Sequence, residues 1–277
     1  MINQEKLTKL ILEQQTYLKT SLNKRKSESF IDNLFQFLFN LETNICQCSY
    51  EIEQKLRFMN IELSEILFIY LRDSQKANYE TCRFFESVED IYLKLISDAK
   101  AMLENDPAAQ NLEEVYTAYP GFYAIAIHRL AHQMWKQDLK LLARVWSEYA
   151  HSKTGIDIHP AAQIGDNFCI DHGTGIVVGE TCIIGKNVKI YQGVTLGALS
   201  VSKDKANHNR HPKIEDNVVI YSGATILGGD TIIGHDSIIG GNVWLTESIE
   251  PYTRIYYKSE MIVKQKKLEN NPIFFDI

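Results

Sequence analysis

Over the first 150 positions the apolar residues recur every three or four places. In FIDNLFQFLFNLE this puts Phe30, Ile31, Leu34, Phe35, Leu38 and Leu41 on one broad face. The same period runs through IELSEILFIYLRD, VEDIYLKLISDAKAMLEND and FYAIAIHRLAHQMW, and DPAAQ and AYPGF supply proline and glycine breaks between them. Residues 1–150 are therefore expected to form an all-helical domain. Near residue 156 the period becomes six. Ile158, Ile164, Ile170, Val178, Ile184, Ile190 and Leu196 open successive units, and Ile214, Ile220 and Ile226 continue them, often with a glycine next in line. A half-buried strand alternates every two residues and a helix every three to four, so neither explains this spacing. It is the hexapeptide pattern of a parallel β-helix, in which each aliphatic side chain points into a prism and about eighteen residues complete a turn. The expected class is α + β, with the β-helix over residues 151–250 and a tail over 251–277.

The six-residue period breaks between Leu196 and Ile214, where GALSVSKDKANHNRHPK is too long for a coil and too polar for an interior. Residues 198–211 are expected to project as a loop that ends in Arg210 and His211. Loops held by a rigid scaffold are where binding and catalysis concentrate.

Composition narrows the functional classes. The formal charge of the 277-residue chain is −6, and its acidic and basic residues are interspersed. No basic stripe suggests nucleic acid and no polybasic segment suggests a membrane surface. The N-terminal MINQEKLTKLILEQQTYLK is interrupted by charges, unlike a signal peptide or a membrane span, which points to a cytoplasmic protein. Cys46, Cys48, Cys82, Cys169 and Cys182 lack paired C-x-x-C spacing, so free, mostly buried thiols are expected.

Candidate chemistry centres on DHGTGIVVGE, residues 171–180, where Asp171, His172 and Glu180 interrupt an apolar run. A histidine acts as a general base when a carboxylate fixes its tautomer and stabilises the imidazolium. Asp171 adjoins His172, so in extended chain the two side chains point to opposite faces. Asp157 lies fifteen residues earlier, close to one coil away, and is the better orienting partner. His128 and His132, at i and i+4 of a predicted helix, could share a metal, but no HExxH surrounds them and helix packing is the simpler account. His172, His208 and His211 could be nominated for a zinc site, yet the acidic partners fit a base better. No metal is expected.

The motifs DIHPAAQIG, DHGTGIVVGETCIIG, YQGVTLG and RHPKI, preceded by NDPAA and YPGFYAIAIHRLAHQMW, together resemble the serine O-acetyltransferase family of hexapeptide acyltransferases. The resemblance covers about residues 95–250 and implies a left-handed β-helix, assembly as a homotrimer or a dimer of trimers, and active sites between neighbouring prisms. It implies acetyl transfer from acetyl-CoA to the hydroxyl of L-serine, for cysteine biosynthesis, with L-cysteine as a feedback inhibitor. His172 would be the general base and Asp157 its orienting aspartate. Asp106, Asp171, Arg210 and His211 would hold the serine zwitterion, with Glu180 lining the same pocket. CoA would lie near Gly197, Ala198, Leu199, Ser222 and Gly241, and a backbone N–H near the Gly197 turn would meet the oxyanion.

The chain departs from the family pattern in the loop after Leu196, which is longer and has Ala198 where a second glycine is usual, and in the segment after the prism, where a GxPA segment is missing. The terminal Asp276 and Ile277 resemble the family ending that inserts into O-acetylserine sulfhydrylase. Two other readings remain open here: a hexapeptide acetyltransferase for another hydroxyl, such as homoserine, a sugar or an antibiotic, and a non-catalytic scaffold that binds the sulfhydrylase. The DPA segment and the RHP loop argue against the first, His172 with Asp157 against the second.

Overall fold

A computed structural model describes residues 4–17, 22–39, 41, 48–199 and 209–258. Among these residues are seven helices followed by fourteen short strands. The helices are α1 (Gln4–Tyr17), α2 (Lys24–Leu38), α3 (Ser49–Leu71), α4 (Ser74–Asn105), α5 (Leu112–Ala118), α6 (Pro120–Lys136) and α7 (Lys140–Thr154). Their ends follow from sequence. The Asn23 side chain caps α2 at Lys26 N, Asp73 accepts from the N–H groups of Gln75 and Lys76 to cap α4, and Pro120 opens α6. The expected face of α2 is buried through Phe30, Ile31, Leu34 and Phe35, and Phe30 stacks on the fully buried Trp146 of α7. The helical region runs to Thr154 rather than 150, because the Gly155 αL cap, not the change of period, ends α7. No helix among the described residues is long and apolar enough to cross a membrane.

The strands form three parallel faces of a prism. Face A carries β1 (Asp157–Ile158), β4 (Val177–Val178), β7 (Thr195–Gly197), β10 (Thr225–Leu227) and β13 (Trp244–Leu245). Face B carries β2 (Gln163–Ile164), β5 (Ile183–Ile184), β8 (Lys213–Ile214) and β11 (Ile232–Ile233). Face C carries β3 (Cys169–Asp171), β6 (Lys189–Tyr191), β9 (Val219–Ile220), β12 (Ile238–Ile239) and β14 (Arg254–Ile255). Every aliphatic residue of the six-residue series stacks on another: Ile158, Val178, Leu196 and Ile226 on face A, Ile164, Ile184 and Ile214 on face B, Ile170, Ile190 and Ile220 on face C. All but the half-buried Ile164 are inside, each stabilising the prism by about 2 kcal/mol.

The coils are less uniform than eighteen residues. Ile158 to Val178 spans twenty positions, Val178 to Leu196 eighteen, and Leu196 to Ile226 thirty, yet the partners stay in register. Extra residues are absorbed at corners, where no ladder bond is lost. One corner is stitched by a ladder of left-handed asparagines: Asn167 Nδ2 donates to Asn187 Oδ1 at 2.7 Å, Asn187 to Asn217 at 2.9 Å, and Asn217 to Asp236 at 3.1 Å. Prism strands continue to Ile255, five residues past the expected boundary. Of the described cysteines, Cys169 and Cys182 are buried as expected, whereas Cys48 and Cys82 are exposed on the helical part.

The helices close the open end of the first coil. Ladder N–H groups of each coil donate to carbonyls of the next, as from Asp157 to Ile176 and from His159 to Val178, which leaves first-coil carbonyls facing the helices. Side chains supply the missing donors. Ser147 of α7 donates to Ile158 O, Arg129 of α6 to Ile164 O at 3.1 Å and Gly165 O at 2.7 Å, and the His132 ring nitrogen meets Pro160 O at 2.8 Å. Arg129 is itself locked by Asp98 of α4 through bonds of 2.6 and 2.9 Å, and Asp98 also accepts from Phe168 N. Gly121 lets α6 approach so closely that a Cβ there would lie 2.6 Å from Ile170 O.

Candidate active site

The residues singled out from sequence fall on the two edges of face A. The first edge is the corner where face C turns into face A. There five residues separate Asp171 from Val177, while one coil later three separate Tyr191 from Thr195. The two extra residues push the corner outward. His172 adopts φ 60 and Gly173 φ 94, and a Cβ on Gly173 would meet Ile156 Cδ1 at 2.5 Å, so the turn requires glycine beside the histidine. The His172 side chain is left 72% exposed, with Nε2 3.7 Å from Asp171 Oδ1.

Asp106 reaches this corner from the helical domain. As the C-cap of α4, it accepts the Ala108 N–H at 2.9 Å through Oδ1 and the Tyr119 hydroxyl at 2.6 Å through Oδ2. The Tyr119 bond, then the Ala108 bond, and the nearby Lys189 and His172 hold the Asp106 carboxyl below its ordinary value. Burial and then Asp106 push the Tyr119 phenol up. Lys189 was not singled out from sequence, yet it joins the cluster directly: its Nζ is 3.0 Å from Asp171 Oδ2 and donates to Asn105 O at 2.8 Å. Asp157, on the coil above, has its Cα opposite Val177, and no hydrogen bond joins it to His172 among the described residues.

The second edge is the corner where face A turns into face B, and it gathers Glu180, Arg210 and His211. The Arg210 guanidinium donates to Glu180 Oε2. Thr181 Oγ1 accepts the N–H groups of Arg210 at 3.0 Å and His211 at 3.1 Å, and Thr181 N donates back to His211 Nδ1 at 3.1 Å. That last bond places the proton of the neutral ring on Nε2. Burial, then the Arg210 charge, lower the His211 pKa. His159, whose ring packs edge-on against Trp135 at 5.0 Å, is pushed down to about 4, by burial first and then by Arg144. His172 and His211 thus stand at different edges, and His208 lies outside the described residues, as do Asp276 and Ile277. His128 and His132 of α6 stack with ring centroids 5.8 Å apart, and His128 is buried.

No family model matches the chain. Among curated proteins, it is 53% identical over 181 residues to a plasmid serine acetyltransferase of Synechococcus elongatus, a match covering 64% of this chain and 56% of that protein. A serine acetyltransferase of Staphylococcus epidermidis is 44% identical over 173 residues, covering 62% of this chain and 79% of that one. The chain belongs to the serine acetyltransferase family. The fold agrees with serine acetyltransferase structures: isoform 3 of Entamoeba histolytica, in complex with cysteine, superposes with a TM-score of 0.76 at 31% identity, covering 87% of this chain and 84% of that one. The soybean serine acetyltransferase complexed with serine gives 0.58 at 37% identity, over 65% and 72%.

The residues that the serine acetyltransferase pattern nominates for CoA divide between the same two edges. Gly197, Ala198 and Leu199 leave face A beside the Arg210 corner, where Gly228 N donates to Gly197 O and Leu199 covers Gly228. Ser222 and Gly241 occupy the His172 corner in later coils, joined by Asn242 N donating to Ser222 O at 2.9 Å. Each edge therefore carries residues that the pattern nominates for the acceptor together with residues that it nominates for CoA.

Proposed function

We propose that the chain transfers the acetyl group of acetyl-CoA to the hydroxyl of L-serine, giving O-acetyl-L-serine for cysteine biosynthesis, and that its active site is completed by a second copy. The observation that carries this reading is the division of the nominated residues. Asp106, Asp171 and the exposed His172 line one edge of face A, and the Arg210 guanidinium, paired with Glu180, and the His211 N–H line the other. A zwitterionic amino acid needs both halves, carboxylates for its ammonium and a planar fork of donors for its carboxylate. One prism keeps them a face apart, whereas copies packed edge to edge in a closed ring would join them. The homotrimer, or a dimer of trimers, is part of the proposal.

His172 removes the proton of the serine hydroxyl as that oxygen attacks the thioester carbonyl. The C–S bond then breaks and His172 returns the proton to the departing CoA thiolate. Asp157 orients the imidazole from the coil above, and a backbone N–H near Gly197 meets the oxyanion. CoA runs along the prism past Gly197, Ala198 and Leu199 of one copy and Ser222 and Gly241 of its neighbour. Cysteine, which differs from serine by sulfur for oxygen, competes for the same pocket and acts as a feedback inhibitor. The C-terminal Ile277 docks into O-acetylserine sulfhydrylase.

Thiol release from acetyl-CoA, measured with serine, homoserine and sugar acceptors, tests the assignment. The expected result is release that depends on serine, and His172→Ala is expected to lower kcat/KM about 10²- to 10⁴-fold. A faster rate with another acceptor, or a wild-type rate in the variant, would reject it. For the tail, capture of the sulfhydrylase should disappear when Ile277 is deleted.

A further inference from the structure

Lys189 projects outward from β6, one coil below Cys169, and is almost covered by the end of α4. Its ammonium lies 3.0 Å from Asp171 Oδ2, donates to Asn105 O at 2.8 Å, and stands 4.6 Å from the centre of the Tyr191 ring. The neighbouring residue of Asn105 is Asp106, so one lysine grips one acceptor carboxylate and the backbone beside the other. Burial works against the lysine's charge, but Tyr191 and Asp171 outweigh it and hold the ammonium above its ordinary pKa. A permanent cation thus occupies a pocket whose carboxylates are proposed to receive the ammonium of an amino acid.

We propose that Lys189 is a specificity-determining residue, an internal counter-cation that engages Asp171, leaves Asp106 to hold the ammonium of the acceptor, and weakens binding of ammonium-bearing ligands by a common factor. The inference rests on the reading of this corner as the serine pocket. Two like charges drawn toward the same carboxylates repel, and in a partly dry corner that repulsion is only weakly screened. Serine and cysteine carry the same ammonium, so the lysine scales both affinities together and does not discriminate between them. It discriminates instead against ammonium ligands in favour of hydroxy acids that lack one.

The test uses the full chain and two variants, Lys189→Met and Lys189→Gln, the second of which can still donate to Asn105 O. Calorimetric titration with L-serine, L-cysteine and 3-hydroxypropionate is combined with steady-state kinetics. In both variants serine and cysteine should tighten by the same factor, about tenfold, with the serine KM falling while kcat moves little, and 3-hydroxypropionate should not tighten. Serine and cysteine binding that is unchanged or weaker, 3-hydroxypropionate tightening as much as serine, or failure of both variants to fold would each overturn the proposal. A wild-type chain without serine-dependent thiol release would reject the serine reading itself. Release that is present while the variants leave ligand affinities unmoved would reject the role of Lys189 alone.

Discussion

Two aspartates are candidates for partnering His172, one beside it in sequence and one on the neighbouring strand of face A. Asp171 is close to the imidazole but already engaged by the Lys189 ammonium. Asp157 belongs to the coil above and is the candidate for holding the ring in one tautomer. Asp157→Asn should therefore lower kcat about 10²- to 10⁴-fold with serine binding preserved, while Asp171→Asn should act mainly on the serine KM. Kinetics on the two purified variants would separate these roles, and a reversed pattern would exchange them. The sequence made His172 legible because a charged pair inside an aliphatic run has no packing reason to be there. Lys189 was illegible, since a lysine at the first position of KIY reads as an ordinary solvent-facing strand residue. Only the helical lead-in, folded back so that Asn105 meets it, brings that lysine into the candidate site.

At the scale of elements, the joint between helices and prism depends on buried polar groups rather than on apolar contact alone. Asp98→Asn would leave the Arg129 guanidinium buried without its full counter-charge, a loss expected to cost about 3–5 kcal/mol in denaturant unfolding. The same joint is built with uncharged imidazoles. Burial first of all lowers the pKa values of His128, His132 and His159, and His159 reaches about 4. In the unfolded chain these rings take up protons near the ordinary value of about 6.5. Between that pH and about 4 the unfolded state binds more protons than the folded state, so stability should fall as pH falls through this window. His159→Asn should flatten the pH dependence of the denaturation midpoint there. Periodicity revealed that the two parts exist and which side chains fill each, because both periods are set by burial. It did not reveal the joint: Asp98 and Arg129 sit on helical faces that look solvent-directed in sequence, and the carbonyls they serve belong to a coil some 35 residues further along the chain.

For the whole molecule, the proposed edge-to-edge site makes a prediction that no single-copy site shares. His172→Ala and Arg210→Ala should each be nearly inactive alone. Refolded together into mixed trimers, they should regain about a quarter of wild-type activity, because random assembly places an intact His172 edge against an intact Arg210 edge at that frequency. Mixing that restores nothing would argue for a site within one copy. The helices that close the first coil carry a consequence of another kind. Each coil of a solenoid touches only its neighbours, so resistance to opening is passed along the stack from wherever it is anchored. With one end bolted by Arg129 and Ser147 and the other presenting exposed Trp244 and Tyr252, unravelling has a direction. Deuterium should enter the backbone last around Ile158–Ile170 and earliest around Trp244–Ile255, and a chain pulled by its ends should shed its coils in that order, peeling from the far end toward the helices.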